Sequence, residues 1–225
     1  MPRSSGSRLF AHDRKLGARM VAGTDEAGRG CLAGPLVVAA VCLDLSRRCP
    51  RDLSDLDDSK RLPEEVRERL YHAIVRRAAA WAVVVVPADA IDRRGLHRSN
   101  LHGMATALRS LGQLPDICLS DGFRIGQQAP PHTAITGGDG RSAAIAAASV
   151  IAKVTRDRYM RRIASRYPAY GFERHVGYIT PEHTLAVRVH GATPLHRRSF
   201  QAAAYRDDAD VLEALEVLAP LGASA

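Results

Sequence analysis

Apolar positions along the chain follow two different spacings, and each spacing predicts one kind of secondary structure. Short apolar runs between polar or glycine-rich turns are typical of buried strands, whereas apolar residues that recur every three or four positions indicate helices. We expect five strands, at residues 20–25, 35–44, 81–86, 116–119 and 132–136. A short glycine-rich turn joins the first two, so we expect them to be antiparallel.

The helical spacing lies between and after these strands. A helix is expected to open at Pro63, because proline suits the first helical position. Ser99 and Ser142 can each cap a further helix, and the second of these is expected to run to about Ser165. Beyond Tyr167 the pattern indicates short helical pieces. A terminal amphipathic helix should follow them, with an apolar face formed by Val211, Leu212, Leu215 and Leu218.

Three early strands followed by alternating helices and strands predict the α/β class, with a mixed five-stranded sheet flanked by helices. The 225 residues suit one compact domain with small appendages. Residues 1–18 are polar and basic and contain serine and glycine, so we expect a basic mobile tail there. Residues 19–166 should form the catalytic core, and residues 167–225 a helical C-terminal extension packed on it.

Composition narrows the class of protein. The formal net charge is +8 and the pI is about 9.8, and a basic surface attracts polyanions such as nucleic acids. The start of the chain lacks the apolar core of a signal peptide, and no apolar run approaches the roughly 20 residues that span a bilayer. We therefore expect a cytoplasmic protein with no membrane partner. No two cysteines have the Cys-x-x-Cys spacing of zinc sites, since they stand at Cys31, Cys42, Cys49 and Cys118.

Three of the predicted strands end in acidic residues: Asp25 with Glu26, then Asp121, then Asp139. Function in an open α/β sheet usually lies outside the carboxyl ends of its strands, so we expect these four carboxylates to converge. They would repel one another unless cations neutralised them. Oxygen ligands without thiols favour Mg²⁺ or Mn²⁺, and two such ions can support phosphodiester hydrolysis. The pattern predicts a metal-dependent nuclease, although each acid taken alone also suits a surface turn.

Glycines follow the acidic pair directly. Adjacent residues of a regular strand point to opposite faces, so Asp25 and Glu26 can serve one site only if the strand breaks at Glu26. Gly28, Arg29 and Gly30 permit such a break. Their spacing does not match a dinucleotide-binding loop, and a strand follows rather than a helix. Small residues there would let a polymer backbone approach the main chain, with Arg29 beside it.

Motifs recur from about residue 20 to residue 202 in a specific order and spacing. They are Asp25-Glu26-Ala27-Gly28-Arg29-Gly30, Asp58-Ser59-Lys60, Asp121-Gly122, Gly138-Asp139, the segment 146–157, Tyr170-Gly171-Phe172, His175-Val176-Gly177-Tyr178 and His196-Arg197-Arg198-Ser199-Phe200. In these motifs the chain resembles type 2 ribonuclease H, the ribonuclease HII family. Two positions depart from the family pattern: Gly137 and Val176 stand where lysine is common.

The resemblance implies a ribonuclease H-like fold and endonucleolytic cleavage of RNA in RNA–DNA hybrids, including single ribonucleotides embedded in duplex DNA. The cut would lie on the 5′ side of the ribonucleotide. It implies that Mn²⁺ or Mg²⁺ binds at the four carboxylates. It further implies that Gly28, Arg29 and Gly30 sense the ribose 2′-hydroxyl and that Tyr178 stacks on the next sugar. The 2′-hydroxyl is the group that separates RNA from DNA, so this division of roles is physically sensible.

Several residues keep two interpretations. Lys60 and Lys153 suit either phosphate contact or structural ion pairs, and Asp157 is expected to pair with an arginine of its own helix. The late histidines lack zinc spacing and should be hydrogen-bonded or near nucleic acid. Trp81 should lie in the core.

Two other functions remain open from the sequence: a DNA-junction nuclease with the same fold, and a catalytically silent binder of hybrid duplexes. The Gly28–Gly30 segment and Tyr178 argue against the first. The second would require a missing carboxylate, and all four are present. A monomer is the simplest expectation for the assembly.

Overall fold

Five strands form one mixed sheet at the centre of the protein. In a computed structural model, residues 4–46, 48–112, 115–200 and 202–205 are described. The strands are β1 (Met20–Ala27), β2 (Leu36–Asp44), β3 (Ala80–Val86), β4 (Ile117–Asp121) and β5 (His132–Ile135). Their order across the sheet is β3-β2-β1-β4-β5. The predicted α/β class and mixed five-stranded sheet are confirmed.

Strand direction decides where a site can form. β2 is antiparallel to both β1 and β3, while β4 is parallel to β1 and β5 is parallel to β4. Therefore β1, β3, β4 and β5 all run the same way, and their carboxyl ends lie at one edge of the sheet. We call this the carboxyl edge. It is where an α/β sheet usually places its function.

Helices cover both faces of the sheet. They are α1 (Ser5–Arg14), α2 (Glu64–Arg77), α3 (Ala88–Arg94), α4 (Leu96–Arg109), α5 (Ala143–Ala164), α6 (Phe172–His175) and α7 (Pro181–His190). One apolar core lies between the sheet and α1, α2 and α5, and a second lies between the sheet and α3 and α4. Among the described residues no helix is long and apolar enough to cross a membrane.

The long helix α5 lies directly on the central strand. Its predicted cap is confirmed, since the Ser142 hydroxyl accepts a hydrogen bond from the Ile145 backbone N–H. Its first turns are rich in alanine, which lets the helix backbone approach β1. A Cβ atom on Gly23 would lie 2.3 Å from the Ala144 carbonyl carbon, so only glycine fits there. This close packing fixes α5 relative to the end of β1.

The prediction of a mobile tail over residues 1–18 is wrong for residues 5–14, which form α1. Leu9 and Phe10 are buried against the core that α5 covers. Asp13 is fully buried, and its carboxylate accepts hydrogen bonds from the Ser142 hydroxyl and the Ala144 N–H, each at 3.0 Å. Two apolar residues and one acid on a single helical face are sufficient to dock this otherwise polar segment.

Two further expectations concern exposure and the end of the chain. Trp81 was expected in the core but is 42% exposed, because β3 is an edge strand and the described residues cover it only in part on that side. After α5, short helices gather around Tyr170 and Phe172 in a third apolar cluster. The predicted terminal amphipathic helix lies outside the described residues.

Candidate active site

Three carboxylates meet at the carboxyl edge. Asp25 is near the end of β1, Asp121 is the last residue of β4, and Asp139 lies in the 3-10 turn Gly138–Gly140 that follows β5. One oxygen of each lies within 4.8 Å of the others. That spacing places them within reach of a shared cation. The expected convergence therefore holds for three of the four acids.

Glu26 lies beside this group rather than within it. The expected strand break is absent: β1 continues to Ala27, with Glu26 opposite Val38 in the β1–β2 ladder. Glu26 therefore alternates to the opposite face from Asp25. Its Oε1 lies 3.4 Å from Arg29 Nη1, while its Oε2 is buried with no hydrogen-bond partner among the described residues. Such a buried acceptor is costly unless a cation or donor satisfies it.

Burial makes the ionised form of these acids unfavourable. It raises the pKa of Asp25 well above its usual range, and the nearby Glu26 and Asp121 carboxylates add to that rise. Burial also raises the pKa of Glu26, and it raises the pKa of Asp139 together with the charges of Asp58 and Asp121. Metal cations would reverse this preference by compensating the negative charge.

The donor set fits a hard divalent cation. One oxygen of Asp25 accepts the Glu26 N–H at 2.7 Å, and Asp121 accepts the Gly138 N–H at the same distance. Asp139 accepts the Gly140 N–H at 3.0 Å. These main-chain bonds orient each carboxylate through one oxygen, so that the second oxygen of each can bind a cation, which for Asp139 is the Lys60 ammonium in this structure. Carboxylate oxygens without thiolate or imidazole are typical of Mg²⁺ and Mn²⁺ sites.

Lys60 is at the rim of the acidic group. Its ammonium lies 3.4 Å from Asp139 Oδ2, and its side chain is 75% exposed. Burial alone would lower the pKa of Lys60, but the charges of Asp139, Asp58 and Asp25 outweigh it and raise that pKa. Asp58 accepts the Lys60 backbone N–H at 2.9 Å and so positions the residue. Lys60 is a charged, solvent-facing cation next to the acids.

The Gly28–Gly30 segment continues from β1 past the acids. Gly28 has a φ of 88°, and a Cβ atom there would lie 2.0 Å from Arg156 Nε. A Cβ atom on Gly30 would meet nothing within 4 Å. Between them, the Arg29 guanidinium lies 4.5 Å from the centre of the Phe123 ring. The first glycine is packed against protein and the second faces open space.

Comparison with known protein families gives a match over most of the chain. A family model described as ribonuclease HII matches residues 22–203. The chain belongs to the ribonuclease HII family. Ribonuclease HII of Nocardia farcinica is 54% identical over 181 residues, which cover 80% of this chain and 71% of that protein.

Solved structures agree on the fold. Ribonuclease H2 of Pyrococcus horikoshii OT3 superposes with a TM-score of 0.68 at 28% identity, over 81% of this chain and 94% of that one. Bst-RNase HIII, in a complex with Mn²⁺, has a TM-score of 0.63 at 22% identity, over 94% and 73% of the two chains, which supports the fold alone. The protein is thus an endonuclease of the ribonuclease H type, as the motifs predicted.

Two buried arginines, not singled out from the sequence, organise the ribonuclease HII site. Arg156 donates to the carbonyls of Ala33, Pro35 and Val176 at 3.0, 3.0 and 2.8 Å. The other arginine is Arg197. The side chains of Arg156 and Arg197 are both fully buried, and burial lowers the pKa of Arg197 to about 10.

The second arginine completes the connection. Arg197 donates twice to the Gly34 carbonyl, at 3.1 and 3.0 Å, and once to the Arg29 carbonyl at 3.0 Å. Together Arg156 and Arg197 fasten the loop after β1 to α5 and to the segment around Val176. We call this pair the arginine clamp. Both residues belong to motifs of the family, but the apolar pattern gives no signal for donors that bind main-chain carbonyls.

Tyr178 lies directly after the clamped segment. Its side chain is 40% exposed, and the Lys153 ammonium lies 5.1 Å from the ring centre. Lys153 also forms an ion pair of 2.9 Å with Asp157, so the structural interpretation of Lys153 is confirmed. The expected arginine partner of Asp157 is wrong, because Lys153 stands one turn away on the same face of α5.

A chain of neutral histidines supports Tyr178 from behind. His183 Nδ1 donates to the Tyr178 carbonyl at 2.8 Å, and His196 Nε2 donates to His183 Nε2 at 3.0 Å. The Thr193 N–H donates to His196 Nδ1, which fixes this order of donors. Burial lowers the pKa of both rings to about 4. For these two histidines the expectation of hydrogen bonding is confirmed.

Proposed function

We propose that the protein hydrolyses the phosphodiester on the 5′ side of ribonucleotides, both in RNA–DNA hybrids and at single ribonucleotides in duplex DNA. The observation that carries this proposal is the placement of three carboxylates within 4.8 Å at the carboxyl edge. The Gly28–Gly30 segment follows the same strand, and Arg197 holds it through the Arg29 carbonyl. The match to ribonuclease HII over residues 22–203 supports the same reaction.

The acids have one role in this proposal. Asp25, Asp121 and Asp139 would share one of two Mg²⁺ or Mn²⁺ ions, and Glu26, which lies on the other face of β1 but close enough to Asp121 for their charges to interact, would help to hold the second. The ions would supply activation of a water molecule and stabilisation of the leaving oxygen. The main-chain bonds to the aspartates keep their oxygens oriented before the substrate arrives. Glu26 contributes the buried Oε2 atom that otherwise lacks a partner.

Ribose recognition belongs to the clamped segments. The main chain of Gly28, Arg29 and Gly30 contacts the 2′-hydroxyl, the group that distinguishes a ribonucleotide from its neighbours. The open space at Gly30 leaves room for the sugar. The exposed ring of Tyr178 stacks on the adjacent deoxyribose, where a 2′-hydroxyl would not fit against it.

Lys60 and Lys153 contribute to substrate binding in different ways. Lys60 is exposed beside Asp139 and can bind a phosphate oxygen near the scissile bond. Lys153 is nearly buried under Tyr178, so it acts on the nucleic acid mainly by holding that ring. All these residues come from one chain, and the protein acts as a monomer in this proposal.

The test uses a labelled DNA duplex that contains one ribonucleotide. The wild type should cut once, on its 5′ side, with Mn²⁺ or Mg²⁺, and should not cut with chelator. Asp139→Asn should lose at least about 100-fold in rate, because a lost ligand weakens charge stabilisation in the transition state. Asp89→Asn is the matched control, since Asp89 pairs with Arg93 on the surface.

Two results would contradict the proposal. Full activity of Asp139→Asn would remove the acids from the chemistry. Equal cleavage of an all-deoxy duplex would remove the ribose from recognition and would favour a DNA-junction nuclease instead.

A further inference from the structure

A basic groove opens between α3, the start of α4 and the loop after β4. Its volume is about 490 Å³, and its lining includes Arg94 and Arg98 from the helices and Ile125 and Gln128 from the loop. Among the described residues that line it, none is acidic. We call it the α3–α4 groove. It is separate from the carboxylate group, which contributes no residue to it.

Sheet topology places this groove at the carboxyl edge. β3 ends at Val86 on the same edge as Asp25, and α3 begins two residues later at Ala88. The loop that supplies Ile125 follows directly from Asp121 at the end of β4. α3 and the loop after β4, which both line the groove, therefore begin at the same edge of the sheet as the candidate active site.

Side chains connect the two regions. The Arg29 guanidinium lies over the Phe123 ring, and the edge of that ring meets His97 at a centroid distance of 5.4 Å. His97 is in the first turn of α4, one residue before Arg98. A nucleic-acid strand that leaves the Gly28–Gly30 segment thus meets a continuous surface that leads to the groove.

The charge of the groove is not compensated by the protein. Arg93 is paired with Asp89 at 2.7 Å, but in the described part of the chain neither Arg94 nor Arg98 has an ion-pair partner. Two neighbouring cations without partners repel each other, which favours binding of an anion between them.

Two arginines at the edge of the sheet opposite the active site do have an acidic partner. Arg76 and Arg77, at the end of α2, both lie within 4 Å of the Asp52 carboxylate, at 3.8 and 3.1 Å. α2 ends just before Ala80, and Ala80 pairs with Cys42 at the edge opposite the active site. Arg76 and Arg77 therefore differ from the groove pair in sharing an acidic partner.

We propose that Arg94 and Arg98 bind backbone phosphates of the substrate duplex away from the scissile nucleotide. This inference rests on the proposed function and extends its nucleic-acid interface along the α3–α4 groove. Phosphate is the ligand because the planar guanidinium matches its oxygens, and because backbone contacts give affinity without sequence preference. A nuclease that must act at ribonucleotides in any sequence context requires contacts of this kind.

The experiment measures binding without cleavage. The full chain and its R94A/R98A variant are titrated, in EDTA, with a labelled duplex that holds one ribonucleotide, at several salt concentrations. Each phosphate contact contributes about fivefold in affinity at about 0.15 M salt, so the variant should bind about 10- to 30-fold more weakly. The slope of log Kd against log salt should fall by about 2. R76A/R77A changes the net charge equally and should leave both quantities near the wild type.

Cleavage with Mn²⁺ gives a second readout. R94A/R98A should raise KM and leave kcat within about twofold, since the groove binds but does not react. Unchanged Kd and salt slope in R94A/R98A would overturn the inference, as would an equal loss in R76A/R77A. A wild type that binds the duplex in EDTA but never cuts it would contradict the proposed function instead, and the binding comparison would still decide the role of the groove.

Discussion

Replacement of Gly28 by alanine tests whether the arginine clamp holds the segment that we propose contacts the ribose. The new Cβ atom would lie 2.0 Å from Nε and 2.5 Å from Cδ of Arg156, far inside van der Waals contact. Gly28 also has a φ of 88°, a conformation that costs alanine about 1–2 kcal/mol. The guanidinium must therefore move away from the carbonyls of Ala33, Pro35 and Val176.

The expected loss of stability is the sum of the backbone strain at residue 28 and the lost hydrogen bonds of Arg156. Loss of one of these buried hydrogen bonds from a charged donor costs about 1.5–3 kcal/mol, so together with the strain the total loss of stability should be about 3–5 kcal/mol. For a domain of this size that corresponds to a fall in Tm of about 6–20 °C. Cleavage at a single ribonucleotide should fall in parallel, measured at a temperature where the variant remains folded by circular dichroism.

Gly30→Ala is the matched control. Its Cβ atom would meet no protein atom within 4 Å, so Tm should change by less than about 2 °C. The same atom would enter the space proposed for the ribose, so cleavage should still fall, chiefly through KM. A Gly28→Ala variant with the Tm of the wild type would refute the clamp, and so would equal destabilisation by the two substitutions.

Three further predictions concern buried charge, strain and capping. Burial raises the pKa of Asp25 and Asp139, so the folded state holds protons that the unfolded state releases. In chelator, Tm should therefore fall as pH rises from about 4 toward 7. Asp139→Asn removes one of these buried acids and should raise Tm at pH 7. Val176 has a φ of 43° but is buried in the third apolar cluster, so Val176→Gly relieves strain of about 1–2 kcal/mol and loses burial worth about 1.5–3 kcal/mol. The free energy of unfolding in urea should therefore fall by about 1 kcal/mol. Asp13→Ala should lower Tm by several degrees, since it removes two buried hydrogen bonds at the start of α5.

The acidic group was predictable from the sequence for a simple reason. Asp121 and Asp139 follow apolar runs that form parallel strands, and parallel strands bring their carboxyl ends to one edge. The relation of Glu26 to Asp25 was not predictable, because it depends on whether β1 continues. It does continue, and the two neighbours point to opposite faces.

Other features lay outside what an apolar pattern can report. α1 docks through Leu9, Phe10 and Asp13, which are too few to stand out in a polar segment. The clamp depends on carbonyl groups that lack partners in the sheet, such as that of Gly34, and main-chain acceptors leave no trace in side-chain composition. The exposure of Trp81 depends on which strand is at the edge, which local sequence does not specify.

The two fully buried arginines do not pair with the buried acids of the site. Among the described residues, neither Arg156 nor Arg197 forms an ion pair, although each is fully buried close to an acidic cleft. A guanidinium paired with Asp25 or Asp121 would satisfy the acids permanently and would compete with metal. Because the arginines bind main-chain carbonyls instead, neither neutralises the buried Asp25 carboxylate, and the raised pKa of Asp25 expresses the cost of its burial. Arg156 and Arg197 thus shape the loop after β1 without occupying the carboxylates that we propose bind divalent ions.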